Sequence, residues 1–376
     1  MSERSPARTP LVDDLLPDRA PPSAPPPSPP PSRGMPGWLK ALLVLLALAA
    51  VVVVLRLALR PLWGQEVVVV GTPVGPAPPA GLVGVFVEPV DGRAPVLEEL
   101  DAATGSIDLE VYLLSDEDVI AALERAHARG VHVRVLLEQH PFGGSGNTPE
   151  VFARLQAAGI DARWSNPAFT FSHIKMFVVD RRTAVIMNQN LSATSFTKNR
   201  EFGAVSTRPA DVATALAVFE ADWTRGAEPD PAPLVVSPTN AREQLVGLID
   251  GANRTLDVYA EVMRDPAIMD ALKRAAARGV RVRLVMSGRE GDDNAKERNA
   301  LAAAGVQVHL VNRVYIHAKM LLADGERAYI GSQNFTATSL DQNRELGLIL
   351  DDPVALARLA RNFDNDFAAG KPEGVT

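Results

Sequence analysis

Two stretches of this chain carry the same polar residues at the same spacing. In "YIHAKMLLADGERAYIGSQN", residues 315–334, a histidine and a lysine stand two apart, an aspartate follows, and the run closes on Gly-Ser-x-Asn. "FSHIKMFVVDRRTAVIMNQN", residues 171–190, nearly repeats it. On a strand, residues i and i+2 project to one face. His317 and Lys319 therefore point together, as do His173 and Lys175. Imidazole serves as nucleophile or acid/base near neutral pH, and the lysine beside it adds fixed positive charge. Ser332, Asn334 and Asn190 add neutral polar groups. Such a set suits an oxyanion with several oxygens, which means phosphate. A glutamate follows each histidine by 28 residues: Glu201 after His173 and Glu345 after His317, in the phrases "KNREFG" and "QNRELG". A carboxylate on one imidazole nitrogen fixes the tautomer and raises the basicity of the other. We assign both glutamates that orienting role. The competing reading is a structural ion pair with the adjacent Arg200 or Arg344. His127, His132, His140 and His309 have no such constellation and read as ordinary core or surface histidines.

The elements that must position these residues also occur twice. "IDLEVYLLSDEDVIAALERAHARGVHVRVLLE" at 107–138 resembles "LDVYAEVMRDPAIMDALKRAAARGVRVRLVMS" at 256–287. Pro89 and Pro238 are 149 apart, as are Gly130 and Gly279, while the two motif histidines are 144 apart. The first copy thus holds five extra residues after Gly130, and its Gly-rich "HPFGGSGNTPE" at 140–150 is the expected place. "VIAALERAHARG" and "IMDALKRAAARG" have helical apolar spacing and end on Gly, which takes the left-handed cap without a Cβ clash. "VHVRVLL", "VRVRLVM" and "VQVHLV" alternate as strands. Each copy reads β-α-β-α-β-β-α, which makes an α/β fold of two similar α-β-α sandwich lobes, residues 81–228 and 229–376. The Pro-rich "RGAEPDPAP" at 225–233 joins them.

Ahead of the lobes, residues 1–36 form a Pro-rich tail with too little apolar surface to fold. Residues 37–60 contain the uncharged run Ala41–Leu55. With Lys40 and Arg56 snorkelling, this run reaches the about 20 residues of a transmembrane helix. Trp38 and Trp63 flank it as interface anchors. The rival reading is a cleaved signal peptide, which the long preceding tail disfavours. Five Lys/Arg precede the apolar run and two closely follow it, so the expected topology is single-pass with the lobes outside the cytoplasm. Residues 61–80 read as a linker. The chain has no cysteine, which excludes disulfides, thiolate metal sites and a cysteine nucleophile. Net charge is −7, and residues 65–376 alone hold 31 Lys and Arg against 41 Asp and Glu. A broad basic surface for nucleic acid is therefore not expected.

The doubled His-x-Lys-x4-Asp-x6-Gly-Ser-x-Asn pattern resembles the phospholipase D superfamily over about residues 81–372. The second copy matches throughout. The first keeps His173, Lys175, Asp180 and Asn190 but has Met187-Asn188 where the pattern has Gly-Ser. The resemblance implies two lobes around a pseudo-twofold axis, with both motifs in one cleft. One histidine, usually that of the first lobe and here His173, forms a phosphohistidine. The other protonates the leaving alcohol and then activates water or a second alcohol. Lys175, Lys319, Asn190, Asn334 and Ser332 stabilise the phosphate, Asn188 stands where a donor is missing, and Asp180 and Asp324 hold the motif in place. No cofactor or metal is implied. The expected substrate is a phospholipid, with hydrolysis ahead of headgroup exchange. A nuclease of the same superfamily and a catalytically impaired membrane-tethered binding module are the alternatives.

Overall fold

A computed structural model describes residues 81, 83–142, 147–288 and 294–373. The tail, anchor and linker expected over 1–80 lie outside the described residues. Among the described residues no helix is long and apolar enough to cross a membrane.

The first lobe runs β1 (Val83–Glu88), α1 (Ala94–Ala102), β2 (Ser106–Val111), α2 (Glu117–Ala128), β3 (His132–Leu137), α3 (Thr148–Ala157), β4 (Asp161–Trp164), β5 (Lys175–Val179), β6 (Thr183–Met187), α4 (Ala193–Thr197), β7 (Asn199–Ser206) and α5 (Pro209–Thr224). The second runs β8 (Val235–Ser237), α6 (Ala241–Asp250), β9 (Thr255–Tyr259), α7 (Pro266–Ala277), β10 (Arg281–Ser287), α8 (Ala295–Ala303), β11 (Gln307–Val311), β12 (Tyr315–Ile316), β13 (Met320–Ala323), β14 (Arg327–Gly331), α9 (Ala337–Asp341), β15 (Glu345–Leu350), α10 (Pro353–Ala369) and β16 (Lys371–Pro372). The sheet orders correspond: β1-β7-β6-β5-β2-β3-β4 in one lobe and β8-β15-β14-β13-β9-β10-β11, extended by β16, in the other.

Local sequence explains the repeated helices. Asp116 and Asp265 cap α2 and α7, accepting from Val119 N and Ile268 N. Gly130 and Gly279 follow them at φ 90° and 87°. Each lobe is richer than the expected β-α-β-α-β-β-α. Helices α4 and α9 are single turns of five residues, capped by Ser192 and Thr336, and too short to show a helical period. The five-residue excess of the first copy is also divided. Gly159 and Gly305, which end α3 and α8 at positive φ, are 146 apart. Part of the excess therefore falls after these glycines, between β4 and the first histidine, instead of wholly in 140–150.

Three apolar cores set the layers. Phe177, Val179 and Val185 face α1 and α2 of their own lobe. Leu321, Ala323 and Tyr329 face α6 and α7. The alternate residues of the same strands, Met176, Val178 and Ile186 with Met320, Leu322 and Ile330, meet in one shared core closed by α5 and α10. Strands buried on both faces read as continuous apolar runs, which is why "KMFVV" and "MLLA" show no polar alternation.

The lobes also exchange backbone. β12 pairs parallel with β7, Ile316 opposite Arg200. Ser172 bridges Arg344 in the same sense. Residue i of one lobe meets j of the other, and the counterpart of j meets the counterpart of i. Reciprocal contacts of this kind mark a pseudo-twofold axis.

Candidate active site

This exchange builds the site. His173 N donates to Arg344 O at 2.8 Å and His317 N to Arg200 O at 3.2 Å. Each histidine is thereby laid beside the glutamate that follows that arginine in the opposite lobe. His173 Nδ1 bonds Glu345 Oε2 at 2.9 Å. His317 Nδ1 lies 3.2 Å from Glu201 Oε2, in ion-pair contact but not aligned as a hydrogen bond. The 28-residue spacing is real in the sequence, but each His–Glu pair forms across the lobes. The neighbouring arginines turn elsewhere: Arg200 Nε to Asp366 at 2.6 Å, Arg344 to Asp222 at 2.8 Å and Glu228 at 2.6 Å.

Both glutamates are fully buried and held at their second oxygen. Glu345 Oε1 accepts from Asn343 Nδ2 at 3.0 Å and from Ser339 Oγ. Glu201 Oε1 accepts from Asn199 Nδ2 at 2.7 Å. Burial pushes the Glu345 carboxyl up, but His173, Lys175 and the Ser339 hydrogen bond outweigh it and hold it below the usual range. Burial, aided by the Lys175 charge, brings His173 down to about 4 against the opposing pull of Glu345. His173 is therefore neutral at pH 7, its Nδ1 proton directed at Glu345 and its Nε2 lone pair available.

Lys175 and Lys319 are buried and each donates to the carbonyl of its own motif histidine at 2.7 Å. Burial lowers Lys175 well below the ordinary lysine value. Asn190 and Asn334 each carry a buried Oδ1 without a hydrogen-bond partner. Turning either amide about its last torsion puts an Nδ2 donor there instead, since the two orientations are indistinguishable by shape. Ser332 is fully buried, and its Oγ accepts from Leu346 N at 3.1 Å.

Asn188 does the same for its own lobe, its Oδ1 accepting from Phe202 N at 2.8 Å. Its Nδ2 then donates across the axis to Lys319 O at 3.1 Å and Gly331 O at 2.7 Å. Met187 is equally accounted for. A Cβ on Gly331 would lie 2.3 Å from Tyr329 Oη and 2.6 Å from Gly347 Cα. The residue matching Tyr329 in the first lobe is Val185, whose smaller side chain leaves the room that buried Met187 fills. The irregular first motif is thus an alternative packing of two adjacent positions.

Asp180 and Asp324 sit at the far ends of β5 and β13, at φ 51° and 56°. Asp180 accepts from the backbone of Thr104, Gly105 and Ser106. Asp324 accepts from Asn253, Arg254 and Thr255. Both pin a β-turn to the start of the neighbouring strand.

Two residues escaped the sequence reading. Glu261 follows β9 and lies 3.4 Å from His317 Nε2, 2.7 Å from Lys319 Nζ and 2.8 Å from Tyr315 Oη. Burial pushes this carboxyl up, but His317 and Lys319 outweigh it and draw it far below the usual range. Its repeat counterpart, 149 residues earlier, is Tyr112. That ring meets His173 edge-on at 4.6 Å between centroids and lies 4.9 Å from Lys175 Nζ. Comparing the copies column by column at that offset exposes the pair. Among the described residues no cluster of three or more His, Asp or Glu is arranged to hold a metal ion.

Two doubly wound lobes that deliver paired histidines and lysines to one centre define a protein of the phospholipase D superfamily. The family model described as "Cardiolipin synthase, PLD-like domain" matches residues 96–223 and 245–367, and the chain belongs to that family. Among its relatives, a cardiolipin synthase of Geobacillus kaustophilus (strain HTA426) is 26% identical over 319 residues, 72% of this chain and 63% of that protein. Cardiolipin synthase B of Escherichia coli (strain K12) is 27% identical over 321 residues, 73% of this chain and 77% of that protein. The chain thus spans just under two thirds of the first relative's length. Among solved structures, a phosphatidylserine synthase of Haemophilus influenzae Rd KW20 shares the fold at TM-score 0.61 and 12% identity, over 78% of this chain and 88% of that one.

Proposed function

We propose that this protein is a phosphodiesterase of the phosphatidyltransferase kind. It takes a phosphatidyl group from a phospholipid onto His173 and passes it to an alcohol or to water. The observation that carries the reading is the crossed His–Glu pairing, which prepares one imidazole from each lobe beside one buried lysine from each lobe. His173 Nε2 attacks phosphorus. The bond to the headgroup oxygen breaks, and that oxygen takes a proton from His317. In the second half the acceptor's hydroxyl returns a proton to His317 as its oxygen attacks phosphorus, and His173 departs. Lys175 and Lys319, with Asn190 and Asn334, balance charge on the phosphate oxygens. Ser332 acts through β15, whose Leu346 N its Oγ accepts from, and Asp180 and Asp324 hold their strands.

Membership among cardiolipin synthase-like domains favours an alcohol acceptor over water, which reverses the expected order of hydrolysis and exchange. Residues 37–60 would tether the site to the membrane. The acidic lobes argue against nucleic acid, whose binding leans on phosphate neutralisation. The full chain in detergent–lipid mixed micelles, with EDTA, should convert phosphatidylglycerol to cardiolipin and glycerol or to phosphatidic acid. Both His173→Ala and His317→Ala should abolish that turnover. Cleavage of single-stranded DNA without lipid turnover would overturn the reading.

A further inference from the structure

The two halves of the site differ most at one repeat position, where the second lobe has Glu261 and the first has Tyr112. An anion-binding centre has no use for a carboxylate unless it does something specific, because it repels the phosphate the centre must hold. Glu261 nevertheless stands against the second lobe's functional pair, at 3.4 Å from His317 Nε2 and 2.7 Å from Lys319 Nζ. With Glu201 at 3.2 Å from Nδ1, the ring of His317 has a carboxylate at each nitrogen. The other titratable groups around it are Lys319, Tyr315, whose ring centroid lies 6.2 Å away, and Lys175, whose charge couples to both Glu201 and Glu261. His173 has one carboxylate, at Nδ1, and an aromatic edge in place of the other.

We propose that Glu261 is a positioning residue that keeps the proton on His317, so that His317 serves as the acid for the departing alcohol while His173 is left as the nucleophile. The assignment rests on the transfer reading above and adds what makes two near-identical motifs unequal. A nucleophile needs a free lone pair, which a second carboxylate would oppose by favouring the protonated ring. A general acid needs the proton, which two carboxylates retain. In the first step the electron pair of the breaking P–O bond goes to the headgroup oxygen, which receives the Nε2 proton of His317. Glu261 lies just beyond a full hydrogen bond from that nitrogen, so the oxygen can displace it without a strong bond being broken. In the second step the acceptor's hydroxyl proton returns to Nε2.

The test is leaving-group dependence. Bis(p-nitrophenyl) phosphate expels a phenolate that needs no proton, whereas phosphatidylglycerol expels an alkoxide that does. In the full chain, Glu261→Gln should lose about 10²-fold in kcat on phosphatidylglycerol, the scale of a general acid's contribution. Its loss on the p-nitrophenyl ester should be smaller by at least about tenfold. The alkaline limb of its pH–rate profile should move to lower pH, and Glu261→Asp should recover part of both effects. Equal losses on the two substrates, or an unmoved alkaline limb, would overturn the assignment and leave Glu261 a packing residue. A wild-type protein inert toward both would overturn the transfer reading, and this assignment with it.

Discussion

Replacing Glu345 with Gln separates cross-lobe pairing from pairing within a copy. Glu345 is fully buried, and its Oε1 is committed to Asn343 Nδ2 and Ser339 Oγ. Gln keeps that acceptor, so its Nε2 must face His173 Nδ1, which Glu345 Oε2 meets at 2.9 Å in the wild type. A donor there drives the imidazole proton from Nδ1 to Nε2, the atom that has to attack. The corresponding amide swap in a serine-protease triad lowers kcat by about 10⁴, or about 5.5 kcal/mol of transition-state stabilisation. Glu345→Gln should lose at least about 10³ in kcat by the same tautomer logic. Global stability should fall by only about 1–3 kcal/mol, the cost of one altered buried polar contact. The tautomer can be seen directly. The chain has six histidines, so ¹⁵N-imidazole spectra are assignable by substitution. The proton should move on His173 and stay put on His317. A shift on His317 instead, or a kcat within about fivefold of wild type, would refute the crossed assignment.

Three further outcomes follow from the same contacts. Because His173 is brought down to about 4 by burial, kcat/KM should hold as pH falls through the ordinary histidine range and drop only near that value. An acid limb near 6.5, the ordinary histidine value, would contradict this. Glu88 is buried, with Oε2 unpartnered, and burial raises its carboxyl to about 8. The folded state then keeps a proton that the unfolded chain releases above the usual carboxylate range, so this group's contribution to stability falls as pH rises toward 8. Glu88→Gln should flatten that fall and gain on the order of 3 kcal/mol at pH 8 by urea unfolding, with little change at pH 4. Met187→Gly, which restores the family residue, should cost about 3 kcal/mol or more by leaving a cavity in the first lobe's core. An unchanged urea midpoint would show that Met187 is not filling that space.

The doubled motif made the site legible because chemistry needs particular residue types, and their recurrence in register is hard to produce otherwise. The helices α2 and α7 were equally plain, since Gly130 and Gly279 punctuate a clear apolar period. Three things were not readable, each for a physical reason. Which glutamate serves which histidine depends on strands that cross between lobes, and spacing along the chain carries no trace of that. Glu261 and Tyr112 do not resemble one another, so a search for matching residues passes over the position where the copies diverge. Met187 looked like damage to a motif because its compensation, Val185 in place of Tyr329, is a neighbour on the same strand face whose size matters only in the packed core.

The central claim is that the two lobes supply one nucleophile and one acid to a single centre. It is tested most directly by trapping the intermediate. The His317→Ala protein, deprived of its acid, should be mixed with bis(p-nitrophenyl) phosphate, quenched in alkali and mapped by mass spectrometry. The account predicts one phosphorylated residue, His173, and none when His173→Ala is added. Label on any other residue, or no label while p-nitrophenol is still released, would contradict it.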